Sequence, residues 1–170
     1  MIASLADDRS QVAPVVVPAT WRDLRAVNEL EKLCFPDDAW PWIDLLAALT
    51  FPETVRLKAM VGGATVGFIV GDRRRREGLG WIASLGVDPR YRRKGIGARL
   101  LDRCETELGV PCVRLTLRPS NLGARRLYDQ AGYQQIDLWP RYYRSGEDGV
   151  VMEKLMPSVH PSRDGGPLVG

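Results

Sequence analysis

The hydrophobic positions of this chain change period several times, and each change marks an element. Val12–Pro18 reads as a first short strand. Thr20, with Asp23 three residues on, forms an approximate capping box that opens a helix with apolar positions at Leu24, Val27, Leu30 and Leu33/Cys34. Phe35–Pro36 stops that helix. Pro41 suits the first turn of a second one, whose Trp42, Leu45, Leu46 and Leu49 fall at i, i+3, i+4 and i+7. Two strands follow, about Val55–Val61 and Ala64–Val70, joined by Gly62–Gly63, a hairpin signal.

A charged loop, Gly71–Gly80, leads to Trp81–Val87, apolar on both faces and so expected at the centre of a sheet. A basic turn then opens a helix with Ile96, Leu100, Cys104 and Leu108 on one face, ended by Gly109 and Pro111. Val113, Leu115 and Leu117 alternate with Arg114, Thr116 and Arg118, a strand with one polar face. Asn121 caps the next helix, whose stripe is Ala124, Leu127, Tyr128 and Ala131, and Gly132 ends it. Last strands are expected near Tyr133–Trp139 and Val150–Leu155. The order β-α-α-β-β-β-α-β-α-β-β predicts a mixed α/β fold with a β-α-β unit in its middle. Residues 1–156 form one domain in this reading, and 157–170, rich in Pro, Gly and Ser, a flexible tail.

Composition narrows the chemistry. The chain has 170 residues, a net charge of +3 and one histidine, His160, which falls in the expected tail. A Ser–His–Asp or Cys–His nucleophile system therefore has no histidine to use, and a His-rich zinc site fails for the same reason. Cys34, Cys104 and Cys112 lack C-x-x-C spacing, so they read as buried free thiols rather than metal ligands or disulfides. No secretory signal or membrane-length apolar run is visible, and a cytoplasmic protein is expected. The charge is too mild to argue for a nucleic-acid partner. Arg73–Arg76 reads first as a solvated loop tip.

The stretch with the most chemical content is Leu85-Gly-Val-Asp-Pro-Arg-Tyr-Arg92-Arg-Lys-Gly95-Ile-Gly97-Ala98. A strand ends, a basic turn follows, and two glycines open an amphipathic helix. Glycines let backbone approach a ligand, helix-terminal amides point outward, and the dipole adds about half a positive charge. Arg92, Arg93 and Lys94 add more. The anion implied is a phosphate or pyrophosphate, although neither the Walker pattern nor a full G-x-G-x-x-G fingerprint is present.

Arg92-x-x-Gly95-x-Gly97, followed by Leu115-Thr-Leu-Arg-Pro-Ser-Asn121 and Leu127-Tyr128-x-x-x-Gly132-Tyr133, resembles the GCN5-related N-acetyltransferase (GNAT) superfamily, over roughly Thr20–Leu155. The resemblance implies a mostly antiparallel sheet with a central pair of splayed parallel strands, flanked by about four helices. It implies acetyl-CoA as cofactor, its pyrophosphate at Arg92, Arg93, Lys94, Gly95, Ile96, Gly97 and Ala98. The pantetheine arm would lie along Leu85, Gly86 and Val87, with Asn121 bonding it and Tyr128 beside the thioester sulfur as general acid. A tyrosine hydroxyl suffices there, because a thiol of pKa about 8.5 is a good leaving group. Plain core packing is the competing reading of Tyr128.

Two further segments are similar to the RimI-type group of protein N-terminal acetyltransferases. They are Cys34-Phe-Pro-Asp-Asp-Ala-Trp40-Pro-Trp42 and Arg141-Tyr142-Tyr143-Arg-Ser-Gly146-Glu-Asp148-Gly-Val-Val-Met152. The likeness makes Phe35, Trp40, Tyr142 and Tyr143 candidate substrate contacts, with Thr116 facing the same space. Two departures stand out: Thr116 where the group usually carries a catalytic glutamate, and Gly149 in place of an alanine. A base could come from Asp37, Asp38 or Glu31. Alternatively no strong base is needed, since an α-amine of pKa about 7.7–8.0 is about 10–20% neutral at pH 7, against a few parts in ten thousand for lysine.

The expected function is direct transfer of acetyl to a primary amine in a ternary complex, the acceptor being a protein or peptide N-terminus. A small-molecule amine, or a non-catalytic acetyl-CoA-binding module, are the alternatives. Neither membrane nor nucleic acid is an expected partner, and a monomer or homodimer both remain open.

Overall fold

The structure is a computed structural model and describes residues 13–157, so Val12 and His160 lie outside the described residues. Four α-helices are present among them: α1 (Leu24–Cys34), α2 (Trp42–Ala48), α3 (Ile96–Leu108) and α4 (Leu122–Gln130). Seven strands, β1 (Val15–Pro18), β2 (Thr54–Val61), β3 (Ala64–Arg74), β4 (Leu79–Val87), β5 (Cys112–Leu117), β6 (Gln134–Trp139) and β7 (Gly149–Leu155), form one sheet in the order β1-β2-β3-β4-β5-β7-β6. All neighbours run antiparallel except β4 and β5. The expected architecture is thus present.

The sheet separates two apolar layers. On one side Ile96, Leu100, Leu101, Cys104 and Leu108 of α3, with Tyr128 of α4, pack on Leu57, Ile69, Ile82, Val113, Leu115 and Met152. On the other, Val27 and Leu30 of α1 and Leu45 and Ala48 of α2 enclose Phe68 and Val70. Each fully buried Leu, Ile or Phe in these layers contributes roughly 1.5–3 kcal/mol of transfer free energy.

The parallel ladder holds the functional interest. It runs from Leu79↔Cys112 to Ile82↔Leu115 and stops, although β4 continues to Val87. The cause lies on the opposite edge of β4. Gly71 of β3 pairs with Ile82 and Val70 with Ser84, so Ala83 is an extra residue in the β3–β4 ladder, a β-bulge. A bulge bends its strand and increases local twist. Beyond it β4 stays paired with β3 through Ser84↔Val70 to Val87↔Gly67 and parts from β5. The expected splay is therefore produced by one residue.

Three sequence expectations need correction, and one left open is decided. The charged segment is not a loop from Gly71 to Gly80, because β3 continues to Arg74 and β4 begins at Leu79, with a short 3-10 turn at Arg75–Glu77. Arg73 and Arg74 are thus strand residues rather than part of a solvated tip. Arg73 Nη2 donates to the Glu107 carbonyl, and the Arg74 guanidinium lies 5.9 Å from the Trp81 ring centroid. In α2, Trp42 is exposed: the inner face is Leu45, Ala48 and Leu49, and the first turn projects past the apolar layer. On α1, the position left open between Leu33 and Cys34 is taken by Cys34, which turns inward while Leu33 is exposed. Finally, all three cysteines are free thiols, but only Cys104 is buried; Cys34 and Cys112 are half-buried.

Candidate active site

The anion cradle is built where β4 ends. Asp88 is buried, its carboxylate accepting from Arg90 N at 2.9 Å and Arg90 Nη2 at 2.7 Å. The Arg90 side chain holds that carboxyl below the usual range. This pins the turn. Arg93 (φ 59°) and Gly95 (φ 76°) then adopt left-handed backbone, an alternation that turns successive amides toward one side. The amides of Arg93, Lys94, Gly95, Ile96, Gly97 and Ala98 donate to no acceptor among the described residues, and the α3 ladder begins with Arg99 N to Gly95 O at 3.1 Å. A Cβ built on Gly95 meets nothing within 4 Å, so the space above the turn is open. The donor set suits a pyrophosphate. Ile96 itself is buried, so only its backbone faces this space. Gly97 has a packing reason as well: a Cβ there would lie 3.3 Å from Leu127 of α4.

Along the diverging stretch of β4, Leu85, Gly86 and Val87 present on the β5 side a backbone edge that no strand among the described residues pairs. Gly86 is small for a reason on the α1 side, where a Cβ would come within 2.5 Å of the Phe68 ring. The Val87 carbonyl accepts from Arg92 Nε at 3.0 Å and from Cys34 Sγ at 3.5 Å. Asn121 caps α4, its side chain accepting from Ala124 N at 3.1 Å.

Tyr128 comes from the α3–α4 layer and is 6% exposed. Its ring packs edge-on against Tyr133 at 5.6 Å. The Tyr133 hydroxyl donates to Glu105 at 2.8 Å, but the Tyr128 hydroxyl bonds to no described residue. Burial pushes the Tyr128 hydroxyl well above the ordinary tyrosine range, with smaller contributions from Tyr143 and Cys104.

The opposite face of the sheet carries Arg114, Thr116 and Arg118, as the alternation in β5 requires. Over β5 and β7 this face is covered by aromatic rings: Trp81 stacks on Trp139 at 5.9 Å, Trp139 meets Tyr142 at 5.3 Å, and Tyr142 meets Tyr143 edge-on at 5.1 Å. Beneath them Thr116 Oγ1 is buried with no hydrogen-bond partner among the described residues. A Cβ on Gly149 would meet Thr116 Cγ2 at 2.7 Å and Tyr142 Cγ at 2.9 Å, so the missing methyl is where Tyr142 sits. Burial pushes the Tyr143 hydroxyl up to about 12.

The three carboxylate candidates are in different situations. Glu31 is 1% exposed, accepting from Ser84 Oγ at 3.1 Å and Trp40 N at 3.4 Å, and burial raises its pKa. Asp38 is taken up by Arg118, which donates to it from Nε at 2.9 Å and from Nη2. Asp37 is exposed. Phe35 and Trp40 are half-buried against the α1–α2 layer, so each offers only part of its surface to a ligand. Arg118 itself was not among the sequence candidates.

A family model described as the acetyltransferase (GNAT) family matches residues 21–133. The chain belongs to this family, and it is an acetyl-CoA-dependent N-acetyltransferase. Within the family its likeness is to the RimI type. It is 34% identical to the N-alpha-acetyltransferase RimI of Mycobacterium tuberculosis, over 83% of this chain and 92% of that one. It is also 34% identical to an uncharacterised N-acetyltransferase of Methanocaldococcus jannaschii, over 87% and 92%. The fold superposes on the crystal structure of the ribosomal-protein-S18-alanine N-acetyltransferase from Escherichia coli with a TM-score of 0.79 and 22% identity, covering 88% of this chain and 98% of that one. No helix among the described residues is long and apolar enough to cross a membrane.

Proposed function

We propose that this acetyltransferase acts on the α-amine of a protein or peptide N-terminus. The observation that carries the reading is the 34% identity, across most of both chains, to an N-alpha-acetyltransferase. Thr116 supports it. With no carboxylate at that position, an acceptor that is already partly neutral near pH 7 is favoured over a lysine side chain.

When bound, acetyl-CoA supplies an acetyl group already activated as a thioester. The amides from Arg93 to Ala98 and the Arg92–Lys94 charges would hold its phosphates, and the unpaired edge at Leu85–Val87 its amide arm. Tyr128 Oη, kept protonated by burial, would hand its proton to the departing sulfur. Asp37, exposed and beside the Arg118-bound Asp38, would take the proton released by the amine.

The test is thiol release with acetyl-CoA against N-terminal peptides, peptides offering only a lysine, and small amines, side by side. Faster turnover on N-terminal peptides is expected. Preference for lysine peptides or small amines would overturn the assignment.

A further inference from the structure

Arg118 follows the last residue of β5 and reaches, through one guanidinium, two segments remote in sequence. On one side Nε and Nη2 both donate to Asp38 Oδ2 in the α1–α2 connection. On the other Nη1 donates to Ser145 Oγ at 2.7 Å and to Glu147 Oε2 at 2.8 Å in the β6–β7 connection. The flat face lies 4.2 Å from the centroid of the Tyr143 ring. Donor geometry of this kind needs a planar fork; an ammonium is a point donor and cannot span both partners while stacking on a ring.

Both partners are themselves fixed. Glu147 Oε1 accepts from Ser120 N at 2.9 Å, and hydrogen bonds from Ser120 and Arg118 hold its carboxyl down to about 2. Asp38 N donates to Phe35 O at 3.2 Å, closing a turn, and Trp40 N donates to Glu31. The first connection is therefore pinned at two points, Asp38 on the open face and Trp40 from inside, with exposed Asp37 next to the first. The second is closed by Tyr143 N to Glu147 O at 3.0 Å and Arg141 N to Asp148 Oδ1 at 2.8 Å. The Arg118 and Asp38 side chains are 19% and 24% exposed, so solvent screens the bridge less than it screens an ordinary surface pair.

We propose that Arg118 is the positioning residue of the acceptor site. It ties the α1–α2 connection to the β6–β7 connection, so that Asp37, Phe35, Tyr142 and Tyr143 face the acceptor in one arrangement. It touches neither reacting group and acts through Asp38, Glu147 and the ring of Tyr143. This rests on the N-terminal acceptor reading above, because those are the two segments between which a chain end would enter.

The experiment compares Arg118→Gln, Arg118→Lys and the milder Glu147→Gln with the wild type. For each, acetyl-CoA affinity, kcat and KM for an N-terminal peptide, and hydrogen exchange across residues 33–41 and 140–148 are measured. Expected are an acetyl-CoA affinity within about twofold of wild type and a peptide KM raised about tenfold to a hundredfold. Exchange should rise in both segments together, with no rescue by lysine. An unchanged KM, full rescue by lysine, or loosening of one segment alone would overturn the proposal. If the wild type acetylates no N-terminal peptide while both segments still loosen together, the tie stands and the acceptor reading falls.

Discussion

Ser84 on β4 donates a hydrogen bond to Glu31 on α1 at 3.1 Å, inside the layer between helix and sheet. The other Glu31 oxygen accepts from the Trp40 amide, so this carboxylate fastens the α1–α2 connection to β4, the strand that parts from β5. We propose that a buried acid so placed acts as an anchor rather than as a proton acceptor in exchange with substrate.

Glu31→Gln tests that distinction. Burial raises the Glu31 pKa above 4.5, so its ionisation opposes folding, and stability is lost as pH rises from about 4.5 through the folded value. Glutamine can keep both contacts without the charge. The variant is expected to melt at or above the wild-type temperature at pH 7, with turnover retained; thermal scans against pH together with thiol release provide the check. Lost turnover with intact acetyl-CoA binding would make Glu31 a proton acceptor after all.

Tyr128→Phe removes a hydroxyl that bonds to no described residue, so its effect on folding should be within about 1 kcal/mol, the net worth of an ordinary hydrogen bond. Turnover is expected to fall by at least about a hundredfold, the lower range for a lost general acid. Acetyl-CoA affinity should hold. Unchanged kcat would leave Tyr128 as packing only.

Gly149→Ala places a methyl 2.7 Å from Thr116 Cγ2 and 2.9 Å from Tyr142 Cγ. The aromatic cover must shift, and overpacking of this kind costs about 1–3 kcal/mol. Peptide KM should rise while acetyl-CoA affinity stays constant, and adding Thr116→Ser should recover part of the loss. Equal damage to both affinities would mean a general loosening of the sheet.

Acid should release the β6–β7 connection. Glu147 is held at about 2, below its ordinary 4.5, so what it contributes is fully present above about pH 4.5 and lost as pH falls toward 2. The difference in melting temperature between wild type and Glu147→Gln is expected to be flat above pH 5 and to shrink below 4.5. Since the Glu147 side chain is still 27% exposed, added salt should also reduce it. A difference that persists unchanged to pH 2 would exclude this linkage.

The elements whose information is local were legible in the chain itself. Period-two alternation placed β5 with Thr116 and Arg118 on its polar face, and glycine at Gly95 marked the turn that needs positive φ. Asn121 was readable both as a cap and as a cofactor contact, and its capping bond is present. What escaped was long-range. The partners of Arg118 lie 80, 27 and 29 residues away in sequence, so no window could assemble them. The stripe reading of α2 included Trp42 because periodicity fixes a direction but not where the neighbouring layer ends. Asp88 was hidden differently: Asp-Pro is a local turn signal and its bond to Arg90 spans only two residues, but the burial of the carboxyl is set by the fold around it.

Ala83 carries no chemistry, yet the cleft depends on it. In a strictly alternating strand, Ser84 would face the same side as Ile82. Here Ile82 packs in the α3 layer and Ser84 bonds to Glu31 in the α1 layer. Removing Ala83 would make Ile82 and Ser84 chain neighbours, which regular alternation sends to opposite sides, as they already are. Both layers could then keep their occupants while β4 regained the straight course that lets it go on pairing with β5. The occupancy of both layers and the parting of β4 from β5 thus meet at a single backbone position, Ala83.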